Sequence, residues 1–221
     1  HKWKNLIHGF EPMAANQLWA ADITYIMLNN GDVCYLHLIT DAYSRMIVGW
    51  ELADTLRASI TIRALEQAIS QTGGVSLEGL IHHSDRGVQY CCDDYVRTLQ
   101  THKIKISMTE DYNPTDNAIA ERANGVIKTE TVYSRKTFNS LEHARNVIGR
   151  FIHFYNYRRP HMSIGYKIPA VVHTETGAQK KMWKKKNYTK KMYNNENNGI
   201  SLPCRTTGED DGCNHHTVYS I

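Results

Sequence analysis

Three acidic residues, Asp22, Asp85 and Glu121, occur where a carboxylate could take part in chemistry. Asp22 lies inside a predicted strand, where a buried charge is costly unless it is paired or binds a metal ion. Asp85 follows a second, short strand, and ligands of α/β proteins gather beyond the ends of such strands. Carboxylate oxygens are preferred ligands of Mg²⁺. Two divalent ions roughly 3.5–4 Å apart can activate an attacking hydroxyl and stabilise a leaving oxygen. The three acids therefore suggest metal-dependent attack on a phosphodiester.

Glu121 lies on a predicted helix over residues 116–133 and points away from its apolar residues. At about 100° per residue, the opposite face carries Glu121 together with Asn117, Asn124 and Lys128. A carboxylate, two amides and a cation on one face suit metal binding combined with DNA phosphate contact. The apolar face is formed by Ile119, Ala123, Val126 and Ile127.

Each acid also has a structural interpretation that the residues alone leave open. Asp22 could face solvent along its strand, and Asp85 could close a turn before Gly87. Glu121 could belong to an ordinary solvated helix face. After a second predicted helix, over residues 140–157, Arg158 and Arg159 are candidates either for DNA contact or for a structural role.

The elements that must position these residues follow the order β-β-β-α-β-α-β-α-α. Alternating apolar residues predict strands, and Asn29-Asn30-Gly31-Asp32 between the first two is a hairpin signal, since Asn-Gly tolerates positive φ. Three antiparallel strands followed by alternating units predict an α/β fold with a mixed sheet flanked by helices. The predicted strands cover residues 18–28, 33–40, 45–52, 79–83 and 104–108. The further predicted helices start near residue 58 and cover residues 93–101.

Composition is that of a globular protein, with 41% hydrophobic and 22% charged residues among 221. No apolar run approaches the roughly 18–20 residues that span a membrane, and the first residues lack the apolar core of a signal peptide. Five cysteines without a CxxC pair predict free thiols in a reducing compartment. We therefore expect a cytoplasmic protein with no membrane partner.

The two ends of the chain are predicted to lie outside the catalytic core, as a linker and a tail. The chain begins without Met, so residues 1–15 are expected to be a linker from a missing upstream region. Residues 176–221 lose apolar periodicity and predict a basic, disordered tail, which leaves residues 16–175 as the catalytic core. Seven lysines lie between Lys180 and Lys191, and of these Lys184 and Lys185 are candidate phosphate contacts. A solvated, flexible tail is the alternative interpretation of this run.

Five motifs in order make residues 18–166 resemble the integrase catalytic core of bacterial insertion-sequence transposases, the DDE type also found in retroviral integrases. Thirty-five residues separate Asp85 from Glu121, the spacing for which this family is known. The motifs are Trp19-Ala-Ala-Asp22-Ile-Thr-Tyr25, Asp41-Ala-Tyr-Ser-Arg45 with Gly49-Trp50, His83-Ser-Asp85-Arg-Gly87 with Gln89-Tyr90, Asn117-Ala-Ile-Ala-Glu121, and Tyr155-Asn-Tyr-Arg-Arg-Pro-His161 with Gly165-Tyr166.

The resemblance implies a ribonuclease-H-like fold with a five-stranded sheet. It implies that Asp22, Asp85 and Glu121 form a catalytic triad that holds two Mg²⁺ or Mn²⁺ ions. The implied activity is cleavage at transposon ends and joining to target DNA, by a homo-oligomer on DNA at the bacterial nucleoid. The chain looks like a member of the copy-out, paste-in group of transposases. In that group a helix-turn-helix region precedes the core, and this region is not found in the present sequence. The tail of this chain after residue 176 also departs from the family pattern.

Two other functions are weighed against strand transfer. A ribonuclease-H-like nuclease would act by hydrolysis and would need an acid on the first helix, where Glu66 is available. An inactive DNA-binding remnant is the other alternative, and the presence of all three acids argues against it.

Overall fold

The computed structural model describes residues 3–110, 117–132, 138–180 and 182. These residues fall in one compact unit, His1–Lys184, and a second unit, Lys185–Ile221, lies outside the described residues. The predicted phosphate contacts Lys184 and Lys185 also lie outside them. No helix among the described residues is long and apolar enough to cross a membrane. Within them Cys34 and Cys92 are free thiols, as predicted for these two residues.

A five-stranded mixed sheet forms the centre of the fold, in the order β3-β2-β1-β4-β5. The first three strands pair antiparallel, and β4 and β5 run parallel to β1. The sequence prediction of a mixed five-stranded sheet is confirmed, with strand ends that differ by at most two residues. The strands are β1 Leu18–Met27, β2 Val33–Asp41, β3 Ile47–Ala53, β4 Ile81–Ser84 and β5 Lys105–Met108.

Helices cover both faces of this sheet. The single helical turn Val88–Cys91 was not predicted. The helix predicted over residues 116–133 is an α-helix only to Ile127, and a π-helical turn, Lys128–Val132, follows it. A short 3₁₀ turn, Met162–Ile164, follows α5. The helices are α1 Ala58–Gln71, α2 Val88–Cys91, α3 Asp93–Thr101, α4 Ala118–Ile127, α5 Leu141–Tyr157 and α6 Pro169–Val172.

The alternation along β1 divides the core into two layers. Trp19 and Ala21 point to the layer that also holds Leu65 of α1 and Leu99 of α3. Ile26 points to the opposite layer, where Ile127 of α4 packs with residues of α5. Because successive side chains of a strand point to opposite faces, Asp22 belongs to the α4 side of the sheet.

The described part of residues 1–15, which were predicted to form a linker, is packed against the sheet. Trp3 packs on the core layer under α1 and α3. The Leu6 backbone amide donates to Ser107 Oγ at 2.8 Å, and the Met108 amide donates to the Lys4 carbonyl at 3.3 Å. This segment covers β5, the edge strand, whose unpaired backbone groups need partners.

Residues 176–180 also belong to the folded core rather than to the tail that was predicted to begin at 176. Thr176 bridges to Ala14, and the Gly177 amide donates to the Met13 carbonyl at 2.7 Å. The Gly177 carbonyl accepts a hydrogen bond of 3.0 Å from the Tyr43 hydroxyl. Backbone pairing of this kind leaves no periodic apolar pattern, and for that reason the sequence suggested an earlier end to the core.

Candidate active site

The pairing of β1 with β4 brings Asp22 and Asp85 side by side. The two parallel strands are in register from Leu18 opposite Ile81 to Ala20 opposite His83. Continued two residues past its last pair, this register brings Asp22 level with Asp85, and the charge of Asp85 acts on the Asp22 carboxylate. Asp22 is partly buried on β1, whereas Asp85 is exposed just beyond the end of β4.

Gly87 holds the Asp85 carboxylate in place by close approach. Its backbone amide donates a 2.9 Å hydrogen bond to Asp85 Oδ1. A Cβ atom at this position would lie 3.0 Å from Asp85 Oδ1 and 3.1 Å from Gln89 Oε1. The backbone can therefore approach both side chains only because residue 87 has no side chain of its own.

Two asparagine side chains, one directly before α4 and one within it, form hydrogen bonds to β1. Asn117 Nδ2 donates to the Ala21 carbonyl at 3.0 Å, and Asn124 Nδ2 donates to Asp22 Oδ2 at 2.7 Å. Glu121 lies four residues after Asn117 and three before Asn124, which are the spacings that share a helix side. The helix thus brings Glu121 to the same edge of the sheet as Asp22, with its side chain exposed.

Asn117 and Asn124 lie on the helix side that carries Glu121, as their spacing predicts, but their amide groups are directed to β1 rather than to solvent. Both asparagines are buried, at 6% and 4% exposure. Their amide groups lie inside because hydrogen bonds to β1 offset the cost of burial, which hydrophobic periodicity cannot indicate. On the same side of the helix, Lys128 is partly buried, with its Nζ 4.1 Å from the centroid of the Tyr25 ring.

The three carboxylates influence one another electrostatically. Burial raises the pKa of Asp22 to about 6, opposed by the Asn124 hydrogen bond and aided by the negative charges of Asp85 and Glu121. Burial also raises the pKa of Tyr90 well above its usual value, with the charges of Tyr95, Asp22 and Asp85 adding to the effect. Like charges within reach of one partly buried carboxylate are an arrangement that a bound cation stabilises.

The donor set fits a hard divalent cation. Three carboxylates supply oxygen ligands, which Mg²⁺ and Mn²⁺ prefer, and the exposure of Asp85 and Glu121 leaves room for water and phosphate oxygens. Among the described residues, no three His, Cys, Asp or Glu side chains already surround one point closely enough to hold a metal ion.

The two arginines that follow α5 lie in different surroundings. Arg159 forms an ion pair with Glu130, with a distance of 3.1 Å from Nε to Oε1, and its guanidinium lies 5.9 Å from the centroid of the Tyr155 ring. Arg158 is exposed at the C-terminal end of α5. Arg159 thus has a partner within the protein, and DNA contact by either arginine stays a prediction.

An open cleft of about 260 Å³ adjoins Asp85. Tyr25 and Tyr35, which lie directly opposite each other across β1 and β2, contribute aromatic side chains to it. Sequence reasoning missed this cleft, because the Asn29–Asp32 hairpin signal indicates that β1 and β2 pair but does not fix the register that sets Tyr25 opposite Tyr35. The cleft is lined by Ile23, Thr24, Tyr25, Tyr35, Leu56, Asp85, Gly87, Gln89 and Tyr90.

Family models described as integrase core domain match two overlapping parts of the chain, residues 12–114 and residues 102–169. The putative transposase for insertion sequence element IS986/IS6110 of Mycobacterium tuberculosis is 36% identical over 174 residues, which are 77% of this chain and 62% of that protein. The insertion element IS600 uncharacterized 31 kDa protein of Shigella sonnei is 38% identical over 162 residues, 73% of this chain and 58% of that protein. The chain therefore spans about 60% of the length of these relatives.

Solved structures share the fold at low sequence identity. The HTLV-2 integrase catalytic core domain in complex with magnesium superposes with a TM-score of 0.58 and 20% identity. The superposition covers 74% of this chain and 99% of that one. The mixed sheet with helices on both faces is thus the ribonuclease-H-like fold of retroviral integrase cores.

Proposed function

Because this chain belongs to the integrase core domain family, we propose that it is the catalytic core of a DNA transposase. It cleaves DNA strands and joins 3′ ends to target DNA, with Asp22, Asp85 and Glu121 as the catalytic residues. The observation that carries the proposal is the position of Asp22, level with Asp85 in the register of β1 and β4 and hydrogen-bonded to Asn124 on the helix that bears Glu121.

The cofactor we propose is Mg²⁺, or Mn²⁺, bound by these three carboxylates. The HTLV-2 core, which has the same fold, is described in complex with magnesium. Two such ions, when bound, would activate the attacking water or 3′-hydroxyl and stabilise the departing 3′-oxygen. The repulsion that Asp85 and Glu121 exert on Asp22 supports this proposal because a bound cation would relieve it.

In this proposal, hydrogen bonds within the protein orient the three carboxylates before the reaction begins. Asn124 orients Asp22 through its 2.7 Å hydrogen bond, and the Gly87 amide orients Asp85. Asn117 fixes the start of α4 on the Ala21 carbonyl and so positions Glu121 one turn later. Groups held in place before the reaction do not have to be ordered during it, which lowers the barrier.

The substrates we propose are the ends of a transposon and its target DNA, both bound through phosphates. Lys128 and Arg158 are the described cations that we expect to contact the backbone, with Arg159 restrained by Glu130. Joining two ends requires both at once, so we propose a homo-oligomer on DNA, at the nucleoid. Lys184 and Lys185 would add phosphate contacts.

Hydrolysis by an RNase H-type site that uses Glu66 is less well supported. Glu66 is exposed on α1, and α1 packs on the layer that holds Trp19 and Ala21. Asp22 instead bonds to Asn124 of α4, on the opposite face of the sheet. The acid on the first helix is therefore separated from Asp22 by the sheet.

The test of the proposed function is cleavage and joining of a labelled duplex that ends in the terminal repeat of the element encoding the chain, with Mg²⁺ or Mn²⁺. Glu121→Gln is expected to lower the rate by more than about 100-fold, beyond the loss typical of residues that only support metal ligands. Glu66→Gln is the matched control and should retain activity. Equal product from the parent and Glu121→Gln would contradict the triad, and loss with Glu66→Gln alone would favour the nuclease.

A further inference from the structure

The cleft beside Asp85 has features that the metal site does not explain. It is about 260 Å³ in volume, below the roughly 300–1,000 Å³ of pockets that enclose drug-sized ligands. Its lining includes Asp85 together with Tyr25 of β1 and Tyr35 of β2. A ligand in this cleft would be small, flat on one side and adjacent to the proposed site of strand cleavage.

Tyr25 and Tyr35 both line the cleft, and the pairing of β1 with β2 fixes the position of their backbones. Tyr25 and Tyr35 are directly opposite in the antiparallel register, so their Cβ atoms lie about 4.5–5.5 Å apart. Tyr25 is 61% exposed, far more than a tyrosine that serves only the core. Aromatic side chains that line a cleft and are carried by paired strands offer a stacking surface for a planar group.

Polar groups around the rings suit one edge of a heterocycle and the phosphate attached to it. Gln89, partly buried in the cleft wall, carries both a donor and an acceptor that can bond to a base edge. Lys128 Nζ lies 4.1 Å from the centroid of the Tyr25 ring and brings a positive charge to this side of the site. A free phosphate fits poorly inside the cleft because the Asp85 carboxylate lines it.

We propose that this cleft binds one unpaired nucleobase of the DNA substrate, stacked on Tyr25 and Tyr35 and bonded at its edge by Gln89. The inference rests on the proposed function, since it assumes a DNA substrate. A base inside a duplex is stacked on both faces, so an enzyme that holds a base in a pocket must bind it unpaired or extrude it. Base stacking on an aromatic side chain tolerates any of the four bases, so the cleft would favour unpaired nucleotides with little preference for sequence.

The experiment compares two DNA duplexes of the same sequence, one fully paired and one with a single bulged 5-iodouracil nucleotide. The full chain is titrated with each in Ca²⁺, and affinities are measured by fluorescence anisotropy. We expect tighter binding of the bulged duplex, with ultraviolet crosslinks that map to peptides containing Tyr25 or Tyr35. Tyr35→Ala should weaken the bulged complex about tenfold, the scale of one lost base–aromatic stack, and leave the paired complex unchanged.

Tyr35→Phe is the matched control, because it keeps the ring and loses only the hydroxyl, and it should keep the preference for the bulge. Gln89→Ala is a second test of the cleft at a residue outside the sheet, for use if Tyr35→Ala does not fold. This variant should also reduce the preference for the bulged duplex. Equal affinities for the two duplexes, crosslinks elsewhere, or an unchanged preference in folded Tyr35→Ala and Gln89→Ala would overturn the inference. Failure of the proposed function would be distinct, because the parent chain would then show no metal-dependent cleavage of paired DNA that Glu121→Gln abolishes.

Discussion

The side-chain amide of Asn124 donates a 2.7 Å hydrogen bond to the Asp22 carboxylate, across 102 positions of sequence. This contact joins α4 to the central strand, and with it the two elements that carry Glu121 and Asp22. Its donor residue is buried at 4% exposure, and its acceptor Asp22 is partly buried. It is the contact on which the alignment of the proposed metal ligands most directly depends.

Asn124→Ala is expected to lower metal-dependent cleavage by about 10- to 100-fold, the range for partners that orient metal ligands. The reason is that Asp22 loses the donor that holds it, and its pKa rises further once this lowering contribution is removed. Single-turnover cleavage across a Mg²⁺ titration measures the effect. Asn30→Ala, in the exposed hairpin turn, is the control, and equal activity of the two variants would show that Asn124 does not position Asp22.

Without metal, we expect the stability contribution of Asp22 to decline as the pH rises from about 4 to 6. Burial raises the pKa of Asp22 to about 6 in the folded protein, from an ordinary value of 3.8. The folded state therefore binds more protons in this window, and stability falls as they are lost. Asp22→Asn should raise the melting temperature at pH 7 more than at pH 4.5. A shift of the same size at both pH values would contradict the raised pKa, and added Mg²⁺ should stabilise the parent at pH 7 but not this variant.

Gly87→Ala is expected to impair cleavage while the protein stays folded. The new methyl group would lie 3.0 Å from Asp85 Oδ1 and 3.1 Å from Gln89 Oε1, so both side chains must shift. Gly125→Ala on α4 is the matched control, because nothing lies within 4 Å of its Cβ position. That change should be neutral or stabilise the helix by about 0.5–1 kcal/mol. Cleavage rates and thermal melts compare the activity and the stability of the two variants. Full activity of Gly87→Ala would mean that catalysis tolerates a displaced Asp85 side chain.

Gly49→Ala is expected to disrupt the packing of α1 on the sheet. A Cβ atom there would lie 2.1 Å from the Ala64 carbonyl oxygen, and backbone cannot yield as a flexible side chain can. Overpacking costs typically about 1–3 kcal/mol, and a backbone contact this close should reach or exceed that range. Gly149→Ala, which meets the Trp50 ring at 3.1 Å, should cost less. Urea unfolding compares them, and similar midpoints would show that α1 can move away from β3.

Arg158→Ala is expected to change DNA affinity, whereas Arg159→Ala is expected to change the stability of the protein. Removing exposed Arg158 is expected to weaken DNA binding for all sequences and to reduce the slope of affinity against salt by about 1. Removing Arg159 breaks its ion pair with Glu130 and its contact with the Tyr155 ring, so stability should fall. Affinity measured over a range of salt concentrations, with thermal melts, separates the two effects. An unchanged salt slope in Arg158→Ala would exclude it as a phosphate contact.

The sequence by itself determined the order of the elements and the identity of the acids. Alternation along β1, the Asn-Gly turn and the helical spacing after residue 58 are local signals, because they report only which side of each element meets the core. These signals predicted the mixed sheet, which the structure confirms. The motifs around Asp22, Asp85 and Glu121 also indicated the family, which the family models confirm.

Tertiary structure alone decided how those acids are held and what surrounds them. The burial of Asn117 and Asn124, the Tyr25–Tyr35 cleft and the packed N-terminal segment each join residues from different elements. A polar side chain can be buried only where a partner from elsewhere in the chain meets it, and sequence periodicity carries no information about such a partner. The raised pKa of Asp22 has the same origin, since burial and the charges of Asp85 and Glu121 depend on distances that exist only in the folded chain.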